Sequence, residues 1–208
     1  MLFLSSAPLA RAAGTIYTTQ SAFTAALNPG FYTETFSDSL NLSPDYLSAT
    51  LSNGTYTAIA TTKDIFGGSM EPYTTDLGGD YFLTLGGGST FARSITLTFT
   101  SGNVNAIGGS FFLTNPRDGI VDAPITLTFS DGTSQVLNSQ TNASFFGYIG
   151  TAPITSLTIT SGASYHFPSI DNLILGSATA VPEPSVPALL IGAGTLSIAL
   201  ARRRPRNG

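Results

Sequence analysis

Cysteine and tryptophan are absent from this 208-residue chain, and histidine occurs once. The missing cysteine excludes disulfides, thiolate nucleophiles and cysteine-based zinc sites, and a chain of this length can rely on a hydrophobic core instead. A lone His166 excludes a multi-histidine metal centre. Charge is scarce too, at 10% of residues, where roughly a quarter is usual. Bases are scarcest in the middle: Lys63, Arg93 and Arg117 face eleven carboxylates between Gly14 and Ala180, since only Glu183 of the twelve acids lies outside. A region so acidic has no phosphate-binding footprint, and nucleic acid is not an expected partner. An anionic polysaccharide would be repelled unless a divalent cation bridged the two. Long apolar runs are also lacking, with one segment near the C-terminus long enough to consider for a bilayer. What remains is rich in Thr, Ser and Gly with scattered aromatics, a composition of short strands joined by polar turns.

The two ends differ from this middle. Residues 1–12 are apolar at Leu2, Phe3, Leu4 and Leu9 and finish Ala10-Arg11-Ala12 before Ala13. That is an A-x-A peptidase site closing the back half of a secretory signal, with cleavage expected after Ala12. At the other end, residues 179–208 open with Val181-Pro182-Glu183-Pro184, and Ser185 to Ala201 runs seventeen residues without a charge. As a helix that run is about 25 Å long, slightly short of a hydrocarbon core of roughly 30 Å. Arg202, Arg203 and Arg204 follow at once, and their long stems can snorkel to close the gap. By the positive-inside rule these arginines put the tail end in the cytoplasm and everything before Val181 outside.

Pro182-Glu183-Pro184, an apolar helix and a terminal arginine cluster, in that order over residues 181–206, resemble the PEP-CTERM sorting signal of Gram-negative bacteria. The resemblance implies recognition and processing by an exosortase, an integral-membrane cysteine protease, in species that make exopolysaccharide. A cut near the motif would leave the mature protein without a transmembrane helix. The implied route is a transient inner-membrane anchor, then the cell surface or the extracellular space.

Residues 14–178 form the passenger domain. Thr19 to Leu27 has helix formers with Phe23 and Leu27 four apart, Thr19 or Ser21 as a cap, and Asn28-Pro29-Gly30 as a stop. After it period two takes over: Ile95, Leu97 and Phe99 alternate with Thr96, Thr98 and Thr100, and Ile125, Leu127 and Phe129 behave likewise, as do Leu157 and Ile159. Each run buries one face and shows threonine to water, as half-buried antiparallel strands do. Further strands are expected over 32–36, 47–51, 55–61, 81–85, 104–113, 145–149 and 170–175. Asp131-Gly132 suits a type I′ hairpin turn, and Gly108-Gly109 marks a bulge or bend within 104–113. With no repeats and no alternating helices, the fold class is all-β. The expected architecture is an antiparallel β-sandwich or jelly roll of roughly ten strands, with one short N-terminal helix and the C-terminal transmembrane helix. The segments S-A-F-x-x-A-L (Ser21–Leu27), E-T-F (Glu34–Phe36), F-S-D-G-T (Phe129–Thr133), F-F-G-Y (Phe145–Tyr148) and S-I-D-N-L (Ser169–Leu173) resemble passenger domains that precede this sorting tail. That resemblance implies a fold more than an activity.

Candidate chemistry is sparse. A Ser-His-Asp arrangement would need His166 and Asp171, without a G-x-S-x-G elbow. A glycosidase pair would draw on Glu34 and Glu71, far apart in sequence, or on Asp118 and Asp122, which read as loop charges. Calcium takes oxygen ligands from loop carboxylates and amides. Its candidates are Asp38 and Asp45, Asp76 and Asp80 around Gly78-Gly79, and the preferred pair Asp171 and Asn172. Tyr46, Tyr56, Tyr73 and Tyr148 are candidates for a sugar-stacking platform, weakened by the missing tryptophan. The expected function is that of a non-catalytic exported surface or matrix protein, sorted by an exosortase and associated with exopolysaccharide. The alternatives are a carbohydrate-binding module, with or without Ca2+, and then a hydrolase.

Overall fold

A computed structural model describes residues 14–64, 69–85, 93–138 and 140–179. The secretory segment and the sorting tail, with Pro182, Glu183, Pro184 and Arg202 to Arg204, lie outside the described residues. In chain order the elements are β1 (Thr15–Tyr17), α1 (Gln20–Ala25), β2 (Tyr32–Glu34), β3 (Asn41–Leu42), β4 (Ser48–Ser52), β5 (Thr57–Asp64), β6 (Ser69–Met70), β7 (Pro72–Leu77) and β8 (Asp80–Leu85). They continue with β9 (Arg93–Phe99), β10 (Ala106–Thr114), β11 (Ile120–Val121), β12 (Ile125–Phe129), β13 (Ser134–Leu137), β14 (Phe146–Ile149), β15 (Ser156–Ser161) and β16 (Phe167–Gly176).

The strands form two eight-stranded sheets. The first runs β1-β14-β10-β16-β8-β7, with β11 on β10 and β2 on β16; the second runs β13-β12-β15-β9-β5-β4-β3, with β6 on β5. Every pairing given by the register is antiparallel, from Thr15↔Ile149 to Thr74↔Leu83. All ten anticipated strands are present, and β1, β3, β6, β7, β11 and β13 add to them. Leu97, Leu127 and Ile159 of the second sheet share one buried cluster with Phe111, Ile170 and Leu173 of the first. The two sheets therefore close on a common, sandwich-like core.

In the second sheet the alternation is as the sequence implies: β12 and β15 bury every other residue. The first sheet departs from it, because every residue of β10 and β14 is buried. Its other face is covered by α1, whose Phe23 lies in a second cluster with Ala106, Ile149 and Ile174. Two facing glycines, Gly108 and Gly147, make room for that ring. A Cβ on Gly147 would stand 2.6 Å from Phe23 Cδ2, and one on Gly108 would stand 2.7 Å from Phe23 Cε1. The early S-A-F segment and the later F-F-G-Y segment thus meet, ring on glycine. The helix is shorter than 19–27, and Thr19 sits at its N-cap position without a side-chain cap bond. Packing of Phe23, rather than capping, holds it.

One local expectation is corrected and a second is sharpened. The hairpin joining β12 to β13 is not type I′, since Gly132 has φ 89° but Asp131 is not in the positive-φ region. Gly132 N–H donates to the Phe129 carbonyl at 3.0 Å, and Phe129 N–H donates to that of Thr133 at 2.9 Å. The loop is therefore three residues long, a turn closed by a left-handed glycine. Asp131 stabilises it by accepting from Thr133 N–H at 2.8 Å and Tyr148 O–H at 2.7 Å. The bulge does fall at Gly109, yet the extra residue is on the partner strand. Gly108 pairs with Ile174 and Ser110 with Asp171, so Gly109 alone opposes Asn172 and Leu173.

Candidate functional site

The bulge on β16 creates the candidate site. Along one edge β16 pairs with β10. Along the other its partner changes, from β8 at Ile170↔Leu83 to β2 at Leu173↔Glu34. Asp171 and Asn172 fall between these partners and floor a cavity of about 150 Å³ lined by Thr35, Ser37, Gly79, Asp80 and Tyr81. Asn172 holds φ 50°, a conformation that asparagine tolerates better than most residues. Opposite it, a Cβ on Gly109 would lie 3.1 Å from the Asp171 carbonyl oxygen, which is why the facing position lacks a side chain.

Asp171 is only 5% exposed. Its Oδ1 accepts from Asn172 N–H at 2.6 Å and its Oδ2 accepts from Asn172 Nδ2 at 2.8 Å. Burial pushes its carboxyl up to about 6, the bond from the Asn172 backbone opposes the rise, and nearby Asp80 adds to it. Asp80 in turn accepts from Asn142 Nδ2 at 3.1 Å. The arrangement offers two carboxylates, an amide and several hydroxyls to a hard cation. Among the described residues, however, no three His, Cys, Asp or Glu side chains converge as a metal centre. The backbone N–H and the side-chain amide of Asn172 both donate to Asp171, which gives the pair a structural duty in shaping the bulge.

The structure unites one pair that the sequence left apart, Asp80 with Asp171, and separates the rest. Asp76 accepts from Gly79 N–H at 3.3 Å in the β7–β8 turn. Asp45 accepts from Ser43 Oγ and Leu47 N–H, which hold its carboxyl below the usual range. Asp38 lines a separate pocket with Tyr32 and Glu34. Glu34 accepts from Tyr32 O–H and from Phe36 N–H. Asp118 accepts from Tyr73 O–H at 2.8 Å and Thr75 Oγ1 at 3.2 Å, latching its loop to β7. Burial, then that bond, pushes the Tyr73 phenol upward. His166 Nδ1 is buried with no hydrogen-bond partner, and the hydrogen bonds of Asp171 run to Asn172 instead.

The tyrosines do not form the anticipated platform. Tyr56 and Tyr148 are 4% and 2% exposed and belong to the core, whereas Tyr46 is 58% exposed. Thr35 and Ser37 were not singled out by sequence. Their only signal was that Thr35 lies within the E-T-F segment and Ser37 next to it, because a cavity assembled from three separated stretches has no local pattern. Comparison of the chain with family models, with curated proteins and with solved structures found no match.

Proposed function

We propose that this chain is a non-catalytic exported protein of the cell surface or extracellular matrix, delivered through an exosortase-processed tail and associated with exopolysaccharide. The carrying observation is the order Pro182-Glu183-Pro184, charge-free run, Arg202-Arg203-Arg204 at residues 181–206. The acidity of the middle agrees with it in excluding nucleic acid. So does the use of Asp45, Asp76 and Asp118 in turns and latches rather than in a shared cleft. In this reading the two sheets are a jelly-roll sandwich displayed outside the cell. The C-terminal helix holds the chain in the inner membrane until processing. Replacing Pro182, Glu183 and Pro184 with alanine should leave the full-length chain in the inner membrane. Unchanged processing and release in that variant would overturn the exosortase assignment.

One observation favours a second reading, a calcium-dependent carbohydrate-binding module: the cavity that brings Asp171 and Asn172 to Asp80. Glycan arrays with and without EDTA separate the two readings. Chelator-sensitive binding would support the second, and no binding in either condition would sink it.

A further inference from the structure

The outward face of the second sheet carries a pattern that the core does not require. Across six strands the register aligns Ser134, Thr128, Thr158, Thr96, Thr61 and Ser48 in one row. All six are half-buried or exposed. A second row sets Thr126 beside Thr160 and Ser94, and a third sets Ser156 beside Thr98. The rows repeat at about 4.8 Å between strands and about 6.7 Å along them. Hydroxyls touch across the row, as with Thr96 Oγ1 and Thr158 Oγ1 at 3.2 Å.

The face also carries little charge, although the domain is strongly acidic. Lys63, next to Ser94 in the second row, is the one charged residue at an outward position of this sheet among the residues whose side chains are described. Solvent-facing sheets ordinarily rely on charge for solubility and to discourage edge pairing, so its exclusion here needs a different reason. Threonine is stiff at χ1, and each hydroxyl can both donate and accept. A grid of such groups can bond a partner that presents hydroxyls at intervals, and its methyls can meet that partner's C–H surfaces. Charge on the face would impose a desolvation cost when such a partner docks.

We propose that this face docks an uncharged, polyhydroxylated polymer, a neutral polysaccharide. The inference rests on the polysaccharide association proposed above and adds the surface and the charge class of the ligand. The test uses the full-length chain in a non-glycosidic detergent with EDTA, retained on microcrystalline cellulose or on immobilised neutral β-glucan, with alginate as the anionic contrast. The chain should be retained by a neutral glucan and not by alginate. Thr96→Val, Thr128→Val and Thr158→Val together should weaken that retention about tenfold. A second variant, Thr98→Glu with Thr128→Glu, should do the same by charge alone. Thr55→Val, in a turn, should change nothing, and all variants should melt with the parent. Parental retention by the well-folded face variants would overturn the face while leaving polysaccharide association standing, as would retention by alginate alone. Retention by none of these polymers would count against both.

Discussion

Replacing Gly147 with alanine should destabilise the domain through one side chain, Phe23. The new Cβ would sit 2.6 Å from Phe23 Cδ2 and 2.9 Å from Cγ, with Phe145 Cε1 at 3.1 Å. Phe23 is fully buried and pinned between Tyr17 and Phe145, with ring centroids 5.7 and 5.6 Å away. It can yield only by shifting α1. Overpacking of this kind costs about 1–3 kcal/mol. Phe23→Ala alone should cost about 3–5 kcal/mol, from lost burial and the cavity left behind. In the double variant the methyl enters the space vacated by the ring, so Gly147→Ala should then cost close to nothing. The coupling energy should therefore be about 1–3 kcal/mol. Guanidinium unfolding of residues 14–179, followed by circular dichroism and tyrosine fluorescence, gives all four stabilities. Additivity within about 0.5 kcal/mol would refute the docking of α1 onto the glycine pair.

Two further predictions concern the bulge. Asn172→Ala should cost about 2–4 kcal/mol, combining left-handed strain with loss of a hydrogen bond to a buried carboxylate. Asn172→Gly keeps the φ of 50° at no strain, so it should be the milder of the two by about 1 kcal/mol, as read by denaturation at pH 7. Asp171 titrates near 6 in the folded chain against 3.8 for an unperturbed aspartate, so the folded state binds that proton more tightly. Its stabilising contribution is full below pH 3.8 and is lost as pH rises through about 6. Stability measured from pH 4 to pH 7 in EDTA should therefore fall by up to about 2 kcal/mol on this account. Asp171→Asn should flatten the slope, and an unchanged slope would remove Asp171 as its source.

The legible part of the fold is the part that obeys a two-residue period. β9, β12 and β15 show threonine to water and aliphatics to the core, and a half-buried antiparallel strand has no other pattern. β10 and β14 escape that reading because both of their faces are covered. Strands of two residues, such as β3, β6 and β11, are defined by pairing and leave no signal. The bulge was legible only in part. Glycines 108 and 109 flag a close approach, but which strand carries the extra residue depends on register, and a left-handed Asn172 looks like any other asparagine. The pair Asp171 and Asn172 stood out in the sequence. Their grouping with Asp80, Thr35 and Ser37 arises only where β16 exchanges β8 for β2.

Mapping the C-terminus of the extracellular form by intact-mass spectrometry tests the central claim most directly. The account predicts a released chain that ends near Pro182-Glu183-Pro184 and lacks the apolar run and Arg202 to Arg204. A released chain that still extends through those arginines to Gly208 would contradict it.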